Sequence, residues 1–280
     1  MKKALLTGKT GFVGSNIYKI LCEDYIIFAP SRQELNLLDE VDVRNYIQKN
    51  SIEVVFHCAN PNPAKNIIDQ NVNMAEGSLR MFTNILSCNN LYEKMIYLGS
   101  GAMYDKTLEI CRVTEKECFR SIPKDSYGFA KYIENKISRK EPNVVNLCLF
   151  ACYGPADHES KFITHCIRCC MENKPITIRQ DCKFDYLHVY DLGRYLSAMG
   201  YIDLKDNLYN VSGNEHMYLS QIAEEVKKAM NSDSEITIVN PGLNHEYTAD
   251  GNKLDSEIGI KRTINMMDGI RMQIEWEKKK

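Results

Sequence analysis

The chain has 280 residues, 44% of them hydrophobic and 26% charged, with a formal net charge of −2. This balance allows a sizeable core and excludes the global basic field that recruits nucleic acid or an anionic membrane. No apolar run reaches the roughly 20 residues of a bilayer span, so neither a nucleic-acid nor a membrane partner is expected.

Taken in chain order, the opening apolar stretch Ala4-Leu5-Leu6 stops at Thr7-Gly8, short of a secretory h-region, and a cytoplasmic location is expected. The first half alternates two patterns. Short apolar runs predict strands over 3–7, 25–30, 53–58, 94–99 and 144–150, and helical periodicity predicts helices over 11–21, 42–49, 68–88 and 126–141. Such alternation argues for an α/β fold: a doubly wound parallel (Rossmann) sheet whose ligand sits beyond the carboxyl ends of the strands. After Tyr153-Gly154-Pro155 the pattern becomes mixed, with helices expected over 161–173, 191–200 and 219–230. No linker separates the halves. The expected division is a dinucleotide-binding domain over 1–155, to which 183–212 returns, and a smaller interleaved substrate lobe from 156–182 and 213–280.

Between the first strand and helix stands Thr7-Gly8-Lys9-Thr10-Gly11-Phe12-Val13-Gly14. Gly8 makes the turn out of the strand, Gly11 lets backbone N–H groups approach a pyrophosphate, and Gly14 lets the helix close on the strand. Thr10, Phe12 and Val13 belong to the same expected cofactor turn. The second strand is followed by Ser31-Arg32 rather than by an acidic residue. A carboxylate there accepts from the 2′-hydroxyl of NAD, whereas serine and arginine suit the 2′-phosphate of NADP, so NADP is expected in preference to NAD.

Tyr127 and Lys131 are spaced Tyr-x-x-x-Lys on the helix expected over 126–141, one turn apart on one face. An ammonium beside a phenol favours phenolate, and a tyrosine so placed exchanges a proton with an alcohol or carbonyl near neutral pH. Ser100 leaves the fourth strand at its carboxyl end, where its hydroxyl can share the reacting oxygen; a plain turn serine is the alternative. Eleven cysteines, most inside apolar patterns, read as buried thiols. The cluster His165-Cys166-Ile167-Arg168-Cys169-Cys170 lacks a second pair at ligand spacing, so no metal is expected.

At these positions the chain resembles the extended short-chain dehydrogenase/reductase superfamily that modifies nucleotide sugars. The match also includes Leu35-Asn36-Leu37-Leu38-Asp39, Phe56-His57-Cys58-Ala59, Asn71, Tyr153-Gly154-Pro155 and Leu187-His188-Val189-Tyr190-Asp191. The resemblance implies Tyr127 as proton donor and acceptor with Ser100 as its partner, and Lys131 also on the nicotinamide ribose. It further implies Asp39 near the adenine, with Cys58, Ala59 and Asn71 in the cofactor pocket. A homodimer through the helices at 68–88 and 126–141 is implied as well.

The segment 29–39 is similar to that of GDP-fucose synthase and dTDP-dehydrorhamnose reductase, and the short substrate region to CDP-paratose and CDP-abequose synthases. Dehydratases and decarboxylases of the superfamily carry acidic residues just after the catalytic serine or threonine; here stand Gly101, Ala102 and Met103. GDP-fucose synthase also epimerises with a cysteine and a histidine, at places held here by Ala102 and Lys161. What remains is reduction of a 4-keto nucleotide-diphosphate sugar. A 4-epimerase with tightly bound NAD(P) and a non-catalytic NADP-binding regulator stay as alternatives. The family arginine that holds the diphosphate is Phe184 here, with Lys183 or Arg179 as substitutes, which leaves an unlinked carbonyl substrate open. Substrate contacts are expected from Ser100, Ala102, Tyr127, Lys161, Lys183 and His188. His188 also reads as a structural residue at the lobe junction, and Asn210 is a weaker candidate.

Overall fold

The computed structural model describes residues 1–61 and 74–280. Its larger sheet contains β1 (Lys2–Thr7), β2 (Tyr25–Phe28), β3 (Val54–His57), β4 (Lys94–Ser100), β6 (Val144–Leu149) and β10 (Leu208–Val211). These six strands lie side by side in the order β10-β6-β4-β3-β1-β2, all parallel. The chain leaves β1 for β2 on one side and returns for β3 on the other, so the order reverses between β1 and β3. In open parallel sheets of this kind, ligands bind at such a switch point.

Both faces of the sheet are covered, which is why its central strands are continuously apolar rather than alternating. Ala4, Leu5 and Leu6 are all fully buried, as are Val54, Val55 and Phe56. On one face α1 (Phe12–Asp24) packs against α6 (Val189–Met199). On the other lie α2 (Glu40–Asn50), α3 (Met74–Leu86) and α4 (Ser126–Ser138), with α3 against both of its neighbours. Local chemistry sets two of these helix starts. Asp39 accepts from Val41 N and Asp42 N to begin α2, and Asp125 accepts from Gly128 N at 2.8 Å to begin α4.

The smaller lobe is built on a second sheet in the order β11-β9-β13-β5, from β5 (Ile110–Val113), β9 (Lys183–His188), β11 (His216–Tyr218) and β13 (Tyr247–Ala249). The short β7 (Ala151–Tyr153) pairs with β9 in parallel. A separate two-stranded ribbon joins β8 (Ile176–Ile178) to β12 (Ile236–Ile238). Helices α5 (Phe162–Met171), α7 (Leu219–Met230) and α9 (Met266–Glu277) pack on one another around Ile163, Ile167, Ile222, Val226 and Ile270.

The lobes interleave more deeply than a division at 155 with a return over 183–212 describes. β5 comes from the first half yet belongs to the small sheet, and so does β9 from the returning segment. In the other direction α8 (Asn252–Ile258) sends Leu254 and Ile258 into the core under the large sheet. The reason is pairing: β13 offers one edge to β5 and the other to β9. Among the described residues, no helix is long and apolar enough to cross a membrane.

Candidate active site

The glycine turn is a close-packed backbone cradle. Gly8 sits at φ 76°, and a Cβ there would lie 2.7 Å from Ala59 N. At Gly14 a Cβ would lie 2.2 Å from Gly8 O, so only glycine lets α1 approach the turn this closely. Gly11 caps α1 without a side-chain bond, and the first turn carries no acidic residue. Its free N–H groups and the helix dipole therefore face an incoming anion. Thr10 is exposed on this rim, while Phe12 and Val13 lean on the core beneath. These residues fit the pyrophosphate of a nicotinamide dinucleotide.

Thr7 ties the cradle to β3. Its Oγ1 accepts from Cys58 N at 3.2 Å and Ala59 N at 3.1 Å, which uses both lone pairs. Its own proton then goes to His57 Nδ1, 2.8 Å away. Burial, with the Lys131 charge, pushes His57 down to about 3, so it stays neutral and accepts. Burial raises the Cys58 thiol to about 12, with Lys131 opposing, which makes it an inert wall.

Ser31 and Arg32 are exposed beyond β2. The Asp39 carboxylate spends one oxygen, Oδ1, on the start of α2, at 2.9 and 3.0 Å. Asn71 lies outside the described residues.

Ser100 ends β4, is 7% exposed, and accepts from Ala102 N at 3.2 Å to start a short 3-10 turn over Gly101–Tyr104. Burial is the main reason the Tyr247 phenol is pushed well above the usual tyrosine range, and a hydrogen bond from the Ser100 hydroxyl opposes it. Tyr247 is held by ring contacts to Phe150 at 5.1 Å and Phe184 at 5.4 Å. A Cβ on Gly101 would stand 2.5 Å from Tyr247 Oη, and Ala102 and Met103 are fully buried.

On α4, Tyr127 is half-buried and Lys131 is 4% exposed. Lys131 Nζ lies 6.0 Å from the Tyr127 ring centroid and donates to Glu134 Oε2 at 2.8 Å. A second lysine, Lys106, stands 5.9 Å from the same ring and 5.9 Å from that of Tyr247. Burial holds Lys106 below the usual lysine range, with Asp125 opposing and Lys161 adding to the effect.

The remaining expected substrate residues are spread along the lobe junction. Lys161 is exposed at the start of α5. Lys183 lies over the Tyr218 ring at 5.1 Å and lines a cavity of about 440 Å³ with Glu109, His245 and Glu246. Phe184 stacks on Tyr186 at 5.6 Å, so the place of the family arginine belongs to an aromatic wall. His188, 1% exposed, caps α6 by accepting from Tyr190 N at 3.3 Å, and burial lowers it to about 4 against the pull of Asp191. Asn210 is fully buried and committed to Tyr104 Oη and Val113 O. The cysteines of α5 line the small-lobe core, and among the described residues no three His, Cys, Asp or Glu side chains gather as a metal site.

Sequence reasoning missed Tyr247, Lys106 and Glu134. Glu134 had a local signal, since i and i+3 are helix neighbours. Tyr247 had none, because only sheet pairing brings β13 to Ser100.

Comparison with known proteins places the family and the fold. A model of the NAD dependent epimerase/dehydratase family matches residues 4–212. GDP-L-colitose synthase of Yersinia pseudotuberculosis is 30% identical over 116 residues, a stretch covering 37% of this chain and 35% of that protein. A probable dTDP-glucose 4,6-dehydratase of Sinorhizobium fredii is 22% identical across 98% of this chain and 92% of its own. Among solved structures, GDP-mannoheptose C4 reductase from Campylobacter jejuni, with NADP bound, superposes with a TM-score of 0.84 at 21% identity, covering 99% and 98% of the two chains. The dTDP-glucose 4,6-dehydratase of Bacillus anthracis, in complex with NAD, gives 0.83 at 16%, covering 100% and 97%.

Proposed function

The chain belongs to the NAD dependent epimerase/dehydratase family, the extended short-chain dehydrogenase/reductases, and from that premise we propose that it reduces a 4-keto nucleotide-diphosphate sugar with NADPH. The observation that carries the reading is the wall beside Ser100. Gly101 has no room for a side chain, and Ala102 and Met103 are buried and carry no acid or base. None of the three residues that follow Ser100 can therefore abstract a ring proton, which disfavours the dehydration named for two of the relatives.

In this reading the glycine cradle and the start of α1 hold the pyrophosphate, Ser31 and Arg32 the 2′-phosphate, and Lys131 the nicotinamide ribose. A bound nicotinamide nucleotide supplies the hydride. Ser100 donates to the substrate carbonyl oxygen and polarises it, while Tyr127 delivers the proton that completes the alcohol. Ala102 N donates to the Ser100 oxygen, so the Ser100 hydroxyl keeps its own proton to donate. The functional unit is a homodimer through α3 and α4.

The test follows NADPH absorbance with a panel of 4-keto-6-deoxy nucleotide sugars. One NADPH consumed per alcohol formed is the expected result. Y127F should lose about 10²–10⁴-fold in rate with cofactor affinity nearly intact. Interconversion of two 4-hydroxy sugars with no net NADPH change would instead establish a 4-epimerase.

A further inference from the structure

Lys131 and Glu134 form an ion pair inside the protein, not on its surface. Nζ and Oε2 are 2.8 Å apart, and the two side chains are 4% and 1% exposed. The other carboxylate oxygen, Oε1, accepts from Ser78 Oγ on α3. Glu134 is thus held from both sides, by its own helix and by the neighbouring one. Among the described residues four other titratable groups face Lys131: His57 and Cys58 at the end of β3, Cys148 on β6, and Tyr127 on α4. Burial keeps His57, Cys58 and Cys148 neutral. Among the described residues, the formal negative charge that faces the ammonium is that of Glu134.

We propose that Glu134 is a positioning residue for the reaction, a buried carboxylate that keeps Lys131 charged and aims its two remaining N–H donors at the cofactor ribose and Tyr127. The proposal rests on the reading of Lys131 as the ribose lysine. A lysine this deeply buried sheds its proton unless a partner opposes the loss of solvation. Burial does work against the Lys131 ammonium, but the Glu134 charge, the Tyr127 phenol and the Glu134 hydrogen bond outweigh it and leave Lys131 above the usual lysine range. An ammonium has three donors. One is spent on Glu134, which fixes the rotation of the group and leaves two in defined directions. Lys131 is consequently set before any cofactor arrives.

The test reads Lys131 itself. Protein labelled with ¹³C at lysine Cε, with the Lys131 signal assigned by its loss in K131R, is titrated without cofactor or substrate. In E134Q the Lys131 titration should fall by roughly 1–3 pH units relative to wild type. E134D keeps the charge on a shorter stem and should lie between the two. NADPH binding, followed by fluorescence across pH, should be lost at lower pH in E134Q than in wild type, with E134D again between. A Lys131 titration that does not move in folded E134Q overturns the proposal. If E134Q does not fold, an unmoved titration in E134D does the same. Failure of the wild type to bind NADPH or NADH would overturn the cofactor reading instead, and the lysine titration would still decide the role of Glu134.

Discussion

Beyond β2, the Ser31 N–H donates to Glu34 Oε2 at 2.7 Å. Bonds from the Ser31 backbone and hydroxyl, with the Lys9 charge nearby, hold the Glu34 carboxyl below its usual range. A carboxylate therefore sits on the serine that the NADP reading assigns to a phosphate. If Ser31 and Arg32 take the 2′-phosphate, Glu34 must give way, and the gain from charge-assisted bonds is about 1.5–3 kcal/mol. That gain corresponds to a preference of roughly 10- to 100-fold for NADP(H) over NAD(H). R32A should erase most of the preference. E34A should strengthen NADP(H) binding by removing a like charge while leaving NAD(H) nearly unchanged. Titration of both cofactors into the three proteins decides the matter, and equal wild-type affinities would exclude NADP specificity.

Among the elements, α4 carries most of the residues that the proposed reaction uses. Its inner face holds Tyr127, Lys131 and Glu134, and seven of its thirteen residues are buried. Ile133 and Ile137 pack against the protein's own clusters rather than facing outward. Phe129 remains 39% exposed on the outer surface. A homodimer through α3 and α4 would cover that ring and brace the helix that carries Tyr127, the proposed proton donor. Light scattering at micromolar concentration should give twice the chain mass, and F129E should shift it towards the monomer. A wild-type monomer would rule the assembly out. The predicted helix over 68–88 is described from Met74 to Leu86, and its earlier residues lie outside the described set.

For the whole molecule, the balance of buried carboxyl groups sets how stability varies with pH. Asp157 is 6% exposed, and burial raises it to about 7, with Glu277 adding and the His158 N–H and Lys161 opposing. Between its ordinary value of 3.8 and about 7, the folded protein keeps a proton that the unfolded chain has released. Stability from this group therefore falls as pH rises through that window, by at most about 1.4 kcal/mol per unit and a few kcal/mol in all. Asp185, fully buried and likewise raised mainly by burial, acts in the same direction. Urea denaturation across the window should show this decline, and D157N should flatten it. An unchanged slope in D157N would remove Asp157 from the account.

The sequence by itself determined the parts whose physics is local. Glycines at 8, 11 and 14 mark a turn that tolerates no Cβ, and continuous apolar runs mark strands covered on both faces. The spacing from Tyr127 to Lys131 sets two side chains on one helical face whatever surrounds them. The helix over 219–230 was legible to the residue for the same reason: its apolar stripe lies within one continuous segment. Only the tertiary structure decided the rest. β5, β11 and β13 have three or four residues each, too few to show a period, and they form because β9 and one another supply the missing hydrogen bonds. That pairing carries Tyr247 to Ser100 and turns Phe184 into an aromatic wall. It also interleaves the lobes beyond what any boundary in composition indicates. The charge on Lys131 is decided in three dimensions as well, because the spacing to Glu134 places the carboxylate but only burial between α3 and α4 makes it the ammonium's necessary partner.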